Sequence, residues 1–169
     1  MKRTLPKRDL KLETINRRVH ADPTAFVEEE NRRYEGELEA LTRTLAVGLG
    51  HHGIVMLSGP SSSGKTTTAL KLAAMLREMG IDAHVVSLDN FYRGRECAPR
   101  LPDGRFDYEA LEALDLDQLQ CCLLELVQTG KTRLPRFDFI TGKPAEQRDE
   151  LVTQDGSVVI FEGIHAINP

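Results

Sequence analysis

The chain has 169 residues, 40% of them apolar and 28% charged, with a formal net charge of −4. That is the composition of one folded domain, and the acidic balance excludes a general nucleic-acid or anionic-membrane surface, which would carry a basic excess. No apolar run approaches the roughly 20 residues that span a bilayer, and Met1 is followed by charge rather than by a secretory apolar stretch, so a soluble, cytoplasmic protein with only local anion binding is expected.

Residues 1–21 are locally basic, with Lys2, Arg3, Lys7, Arg8, Lys11, Arg17 and Arg18 against Asp9 and Glu13, and have no clean period. They read as an arm or linker, a solvated tail in preference to a phosphate-binding patch. Asp22 is a good N-cap for Pro23 at the first helical position. Val27, Tyr34, Leu38, Leu41 and Leu45 then recur at near-helical spacing, which predicts an amphipathic helix over residues 22–50. That helix would pack on the domain or on a second copy, so a homodimer is left open.

Residues 51–169 read as the N-terminal part of a nucleotide-binding α/β domain. Gly53 to Ser58 is a short apolar run ending in turn residues, as in a buried parallel strand. Ala69, Leu72, Ala73 and Leu76 keep helical spacing up to Gly80, and Ala83 to Leu88 reads as a second strand, which completes a βαβ-sized unit. Residues 89–108 look like a loop. Leu116, Leu119, Leu123, Leu126 and Val127 predict a further helix closing at Gly130; residues 131–156 read as mostly irregular, and Ser157 to Phe161 as the last strand. Cys97, Cys121 and Cys122 have neither zinc-ligand nor disulfide spacing and read as reduced thiols, the latter two on a helix.

The sharpest signal is Gly59-Pro60-Ser61-Ser62-Ser63-Gly64-Lys65-Thr66, the G-x-x-x-x-G-K-[ST] pattern between a predicted strand and a predicted helix. The chemistry requires this layout. Glycines let the loop curl so that successive backbone N–H groups face phosphate oxygens, and the helix that follows adds its positive end. Lys65 would bridge the β- and γ-phosphates of ATP, Thr66 would ligate Mg²⁺, and Thr67 extends the cradle.

Asp89 is read as the end of the second strand, in Val85-Val86-Ser87-Leu88-Asp89, and Glu162 as the end of the third. In open parallel sheets ligands collect beyond the carboxyl ends of the strands, so both carboxylates should converge with the loop on one crevice. There one could take a proton from an attacking hydroxyl while the other holds Mg²⁺. His165 reads as a loop histidine without a special role, and His51 and His52 precede the first strand, at the wrong end for catalysis.

The P-loop, Ser87-Leu88-Asp89-Asn90-Phe91-Tyr92, Phe106-Asp107-Tyr108-Glu109, Pro135-Arg136-Phe137-Asp138-Phe139 and Glu162-Gly163-Ile164-His165 occur in the order of the uridine kinase and phosphoribulokinase family, which the chain resembles over residues 22–169, most of all in its long bacterial form. The resemblance implies a P-loop parallel sheet flanked by helices and ATP-dependent transfer of phosphate to a hydroxyl of a small molecule, a nucleoside first. It assigns Asp89 as catalytic base beside Lys65 and puts Glu162 near magnesium. Tyr92, Asp107, Arg136 and Phe137 would face the acceptor. Phe137 and Gly142 stand where typical uridine kinases carry a tyrosine and a histidine, which leaves a purine nucleoside or a sugar phosphate open as acceptor. The family continues past the third strand into further strands and a lid, so the sheet here is expected to be incomplete. A nucleotide-binding regulatory module without transfer activity is the alternative; a switch GTPase is disfavoured because no N-K-x-D sequence occurs.

Overall fold

The computed structural model describes residues 11–48 and 52–168. They fall into two compact units, one reaching to Leu41 and one starting at Thr42.

The first unit is helical. Leu12–Ala21 forms helix α1, where the sequence shows no period and reads as an arm; residues 1–10 of that arm lie outside the described residues. The helix has no buried residue, so it lacks the apolar stripe that makes a helix visible in a sequence. Its charges suit the helix dipole instead, with Glu13 in the first turn and Arg18 and His20 in the last. Helix α2, Pro23–Gly48, starts as expected, with Asp22 Oδ1 accepting from the Ala25 N–H at 2.9 Å. Arg18 pairs with Glu29 at 2.6 Å and Glu30 at 3.3 Å and lies over the Phe26 ring at 4.9 Å, so this basic residue is engaged by α2.

The second unit is built on three parallel strands: β1 (His52–Leu57), β2 (Ala83–Ser87) and β7 (Ser157–Glu162), in the spatial order β1-β7-β2. His52 thus opens β1, opposite Ser157, rather than preceding the strand; His51 lies outside the described residues. Every residue of β7 is buried, which explains the apolar run Val158 to Phe161 at its centre, since a central parallel strand is covered on both faces. Val159 and Phe161 enter a core with Val86, Leu88, Phe91, Leu114, Cys122, Leu126 and Leu151. By the two-residue period of a strand, Val158 and Ile160 point to the opposite face. There helix α3 (Lys65–Glu78) packs on β2 and β7 and buries Ala69, Leu72, Ala73 and Leu76.

Helix α4 (Leu116–Thr129) carries Cys122 and Leu126 into the other core. Its ends have sequence causes: Asp115 accepts from the Gln118 N–H at 3.1 Å, and Gly130, at φ 69°, donates its N–H to Leu126 O. Residues 131–156, read as mostly irregular, contain four short strands. They hold β3 (Lys131–Leu134) antiparallel to β6 (Asp149–Val152), and a two-residue hairpin of β4 (Phe137–Asp138) with β5 (Lys143–Pro144). Among the described residues no helix is long and apolar enough to cross a membrane.

Candidate active site

The P-loop runs from the end of β1 into α3, and its conformation follows from its residue types. Gly64 caps α3 at φ 84° and ψ 19°, and Ser62 is also at positive φ. At Gly59 a Cβ would sit 2.9 Å from Ser63 Oγ and 3.4 Å from Lys65 Cγ, so this glycine allows the loop to close on itself. Lys65 curls back, its Nζ donating to Pro60 O at 2.8 Å. Pro60, Ser61, Ser62, Ser63, Thr66 and Thr67 are all exposed, which leaves the concave loop and the first turn of α3 accessible to a ligand.

The end of β7 meets this loop. Thr66 Oγ1 donates to Glu162 Oε1 at 3.2 Å, joining a side chain of the first turn of α3 to a carboxylate that is only 4% exposed. The turn after Glu162 is held by Gly163 N–H to Leu57 O at 3.1 Å and by Ser58 Oγ to Ile164 O at 2.9 Å. A Cβ on Gly163 would lie 2.8 Å from Leu88 Cβ, so the glycine lets β7 and the residue before Asp89 approach closely.

Asp89 does not end β2 itself. It sits two residues beyond, in a 3₁₀ turn over Leu88–Phe91 whose cap is Ser87 Oγ accepting from the Asp89 N–H. The side chain is open to the cleft. Even so, loss of water around it raises its carboxyl above the usual range, and the nearby Glu162 charge raises it further, against the opposing pull of Lys65 and His165. His165 Nδ1 faces Asn168 Nδ2 at 3.1 Å, and its buried Nε2 has no hydrogen-bond partner among the described residues.

A cleft of about 520 Å³ opens beside these groups, lined by Ser61, Lys65, Asp89 and Ile164 and by Tyr92, Tyr108, Phe137 and Phe139 together with Arg95 and Glu109. Tyr92 and Phe137 meet edge to face with centroids 5.7 Å apart, and Phe137 and Phe139 do the same at 5.1 Å. Tyr92 Oη donates to Tyr108 O at 3.0 Å, and burial, then the Asp89 and Glu109 charges, push its phenol above its ordinary value. Asn90 Oδ1 accepts from the Phe137 N–H at 3.3 Å and so ties the hairpin to the Asp89 turn.

The expected acceptor residues divide. Tyr92 and Phe137 line the cleft. Asp107 does not; its Oδ1 accepts from the Glu109 N–H at 3.1 Å, while its neighbours Tyr108 and Glu109 face inward. Arg136 also stays outside, with Nε 3.2 Å from Asp149. Sequence reasoning missed Arg95, Phe139 and Ile164 as lining residues. Phe139 lies two residues from Phe137, and strand alternation around the Phe-Asp-Phe segment would have signalled it. Arg95 lies inside the segment 89–108 that reads as a loop and carried no such signal.

As a donor set, the Thr66 hydroxyl and the Glu162 carboxylate it bonds are hard oxygen groups, with the Asp89 carboxylate near Glu162. Among the described residues no group of three or more His, Cys, Asp or Glu could hold a metal ion by itself. Hard oxygen donors such as Thr66 and Glu162 are of the type magnesium takes, one or two from the protein with water and phosphate completing its shell.

Residues 54–168 match the model of the phosphoribulokinase / uridine kinase family. Among curated relatives, a uridine kinase of Saccharomyces cerevisiae is 31% identical over 116 residues, covering 68% of this chain and 23% of that protein. A uridine kinase of Schizosaccharomyces pombe is 35% identical over 115 residues, 66% of this chain and 24% of that one. The chain thus spans about a quarter of the length of these relatives. Among solved structures, one described as a possible uridine kinase from Bacillus stearothermophilus superposes with a TM-score of 0.64 at 26% identity, covering 78% of this chain and 71% of that one. A D-glycerate 3-kinase from Cryptococcus neoformans shares the fold, with a TM-score of 0.52 at 21% identity over 79% of this chain and 52% of its own. With a parallel sheet flanked by helices, a P-loop at the carboxyl end of β1, and a family match over more than half its length, this chain belongs to the phosphoribulokinase / uridine kinase family.

Proposed function

We propose that residues 51–169 form the nucleotide-binding and acceptor-binding part of a kinase that transfers the γ-phosphoryl group of ATP to a hydroxyl of a small molecule, with a nucleoside as the acceptor. The observation that carries this reading is Asp89. It is a carboxylate with a raised pKa, opening into the same cleft as Lys65 on the phosphate side and four aromatic rings on the other. A general base gains from a pKa moved toward the working pH, and flat rings suit a flat base or sugar face.

In this mechanism the P-loop N–H groups and the first turn of α3 receive the phosphates, and Lys65 leaves the Pro60 carbonyl to pair with them. Thr66 and Glu162 would hold a magnesium ion, which when bound offsets the charge of the phosphates. Asp89 accepts the proton of the acceptor hydroxyl as the new O–P bond forms and the bond to the ADP oxygen breaks. Positioning and charge neutralisation supply most of the acceleration, as in phosphoryl transfer generally. Yeast relatives described as uridine kinases support the nucleoside acceptor.

The test is incubation with Mg-ATP and a panel of nucleosides and sugar phosphates, read by mass spectrometry beside Lys65→Ala. The expected result is one phosphorylated nucleoside and ADP, both absent from the variant. ATP binding with no product from any acceptor would instead support a nucleotide-binding module.

A further inference from the structure

The cleft holds two cationic side chains, Lys65 on the phosphate side and Arg95 at the aromatic side. Arg95 is fixed there from two directions. Its N–H donates to Gly142 O at 3.0 Å, and its Nη2 donates to Phe139 O at 2.7 Å, so the guanidinium is docked on the β4–β5 hairpin beside the Phe137 and Phe139 rings. The aliphatic stem crosses directly over Gly142. A Cβ on that glycine would fall 2.5 Å from Arg95 Cδ and 2.6 Å from Nε, and Gly142 is also at φ 70°. Any side chain at 142 would therefore expel Arg95 from this position, so the glycine and the arginine form one device.

Among the described residues no carboxylate lies within ion-pair distance of Arg95, and one carbonyl occupies one of its five N–H donors. The aromatic side of the cleft therefore presents a donor-only fork with donors to spare, next to flat apolar rings. Phe137 and Phe139 offer no side-chain hydrogen bond, and the Tyr92 hydroxyl proton is used on Tyr108 O. A ligand here is sorted by whether the edge it turns to Arg95 accepts hydrogen bonds or carries an amino group that would oppose the guanidinium N–H groups.

We infer that Arg95, seated by Gly142, is an acceptor-selecting residue that favours nucleosides whose base presents an oxo edge, the 4-oxopyrimidine or 6-oxopurine type, over those presenting an amino group there. The inference rests on the nucleoside reading above, and its readout is equilibrium binding, whereas that reading is judged by turnover. The four rings favour a base over an anionic sugar phosphate as the group that meets the arginine.

The experiment is calorimetric binding of uridine, cytidine, inosine and adenosine to the wild type, Arg95→Met and Arg95→Lys, with ribulose 5-phosphate as the anionic probe. Arg95 is exposed, so neither substitution removes core packing. The wild type should prefer uridine to cytidine and inosine to adenosine. Arg95→Met should weaken the oxo members on the order of ten- to hundredfold, as loss of charge-assisted hydrogen bonds does, and change the amino members less than about threefold. Arg95→Lys keeps the charge but not the fork and should restore little of the preference. Equal weakening of all four nucleosides, no change in any, or no nucleoside binding by the wild type would overturn the inference. So would tighter binding of ribulose 5-phosphate that Arg95→Lys preserves, which would mark an anion site. A preserved oxo preference without phosphorylated product would refute the kinase reading alone.

Discussion

At the scale of single residues, the site is a set of side chains whose ordinary properties are altered by their neighbours. Asp89 is raised by loss of water and by Glu162, so its ionisation costs stability at neutral pH. The sign follows from linkage: a carboxyl with a folded pKa above its unfolded one, about 3.9, favours the folded state below that value, and the advantage is lost as pH rises through the folded pKa. Asp89→Asn, which resembles the protonated acid, should melt at a higher temperature than the wild type at pH 7. The difference should shrink toward pH 3, and a scan of melting temperature against pH checks both. Gly163→Ala should act oppositely. Its Cβ would meet Leu88 Cβ at 2.8 Å, with no flexible chain end to give way, and overpacking of this kind costs about 1–3 kcal/mol. Because Gly163 adjoins Glu162 and Leu88 adjoins Asp89, that variant should lose activity as well as chemical stability in denaturant titration.

Secondary-structure elements were legible in the sequence where burial imposed a period, and illegible where it did not. Strands β1, β2 and β7 and helices α3 and α4 all carry apolar residues into a core, and their expected bounds agree with the observed ones to within a few residues. Helix α1 buries nothing, so only propensity and terminal charge could have announced it. Strands β3 to β6 are two to four residues long, mostly exposed, and paired with partners whose register depends on tertiary contact. The P-loop, Asp89 and Glu162 were legible because strand ends are a topological address. Arg95 was not, since its place depends on a glycine 47 positions later in the chain. At this scale, Asp115→Ala should remove the N-cap of α4, which leads from the Asp89 turn to β3, at a cost of about 1 kcal/mol in denaturant unfolding. A change below a few tenths of that would mean the cap is redundant.

Across the whole second unit, the strand order β1-β7-β2 explains why distant residues meet. Inserting β7 between β1 and β2 brings Glu162 level with Leu57 on one side and Ser87 on the other, so the P-loop and the Asp89 turn emerge beside one carboxylate. A two-strand order without β7 between them would leave Asp89 without its charged neighbour. The core faces on either side of the sheet fix this register, because a slip by one residue would turn Val159 and Phe161 away from their partners. On the proposed reading, this arrangement separates nucleotide binding by the P-loop from proton removal by Asp89. The measurement that tests it most directly is single-turnover phosphoryl transfer by Asp89→Asn, paired with its ATP affinity by calorimetry in the presence of Mg²⁺. The variant should keep affinity within about threefold of the wild type and transfer phosphate about 10²–10⁴-fold more slowly, the usual contribution of a general base. Equal losses of affinity and rate, or an undiminished rate, would contradict it.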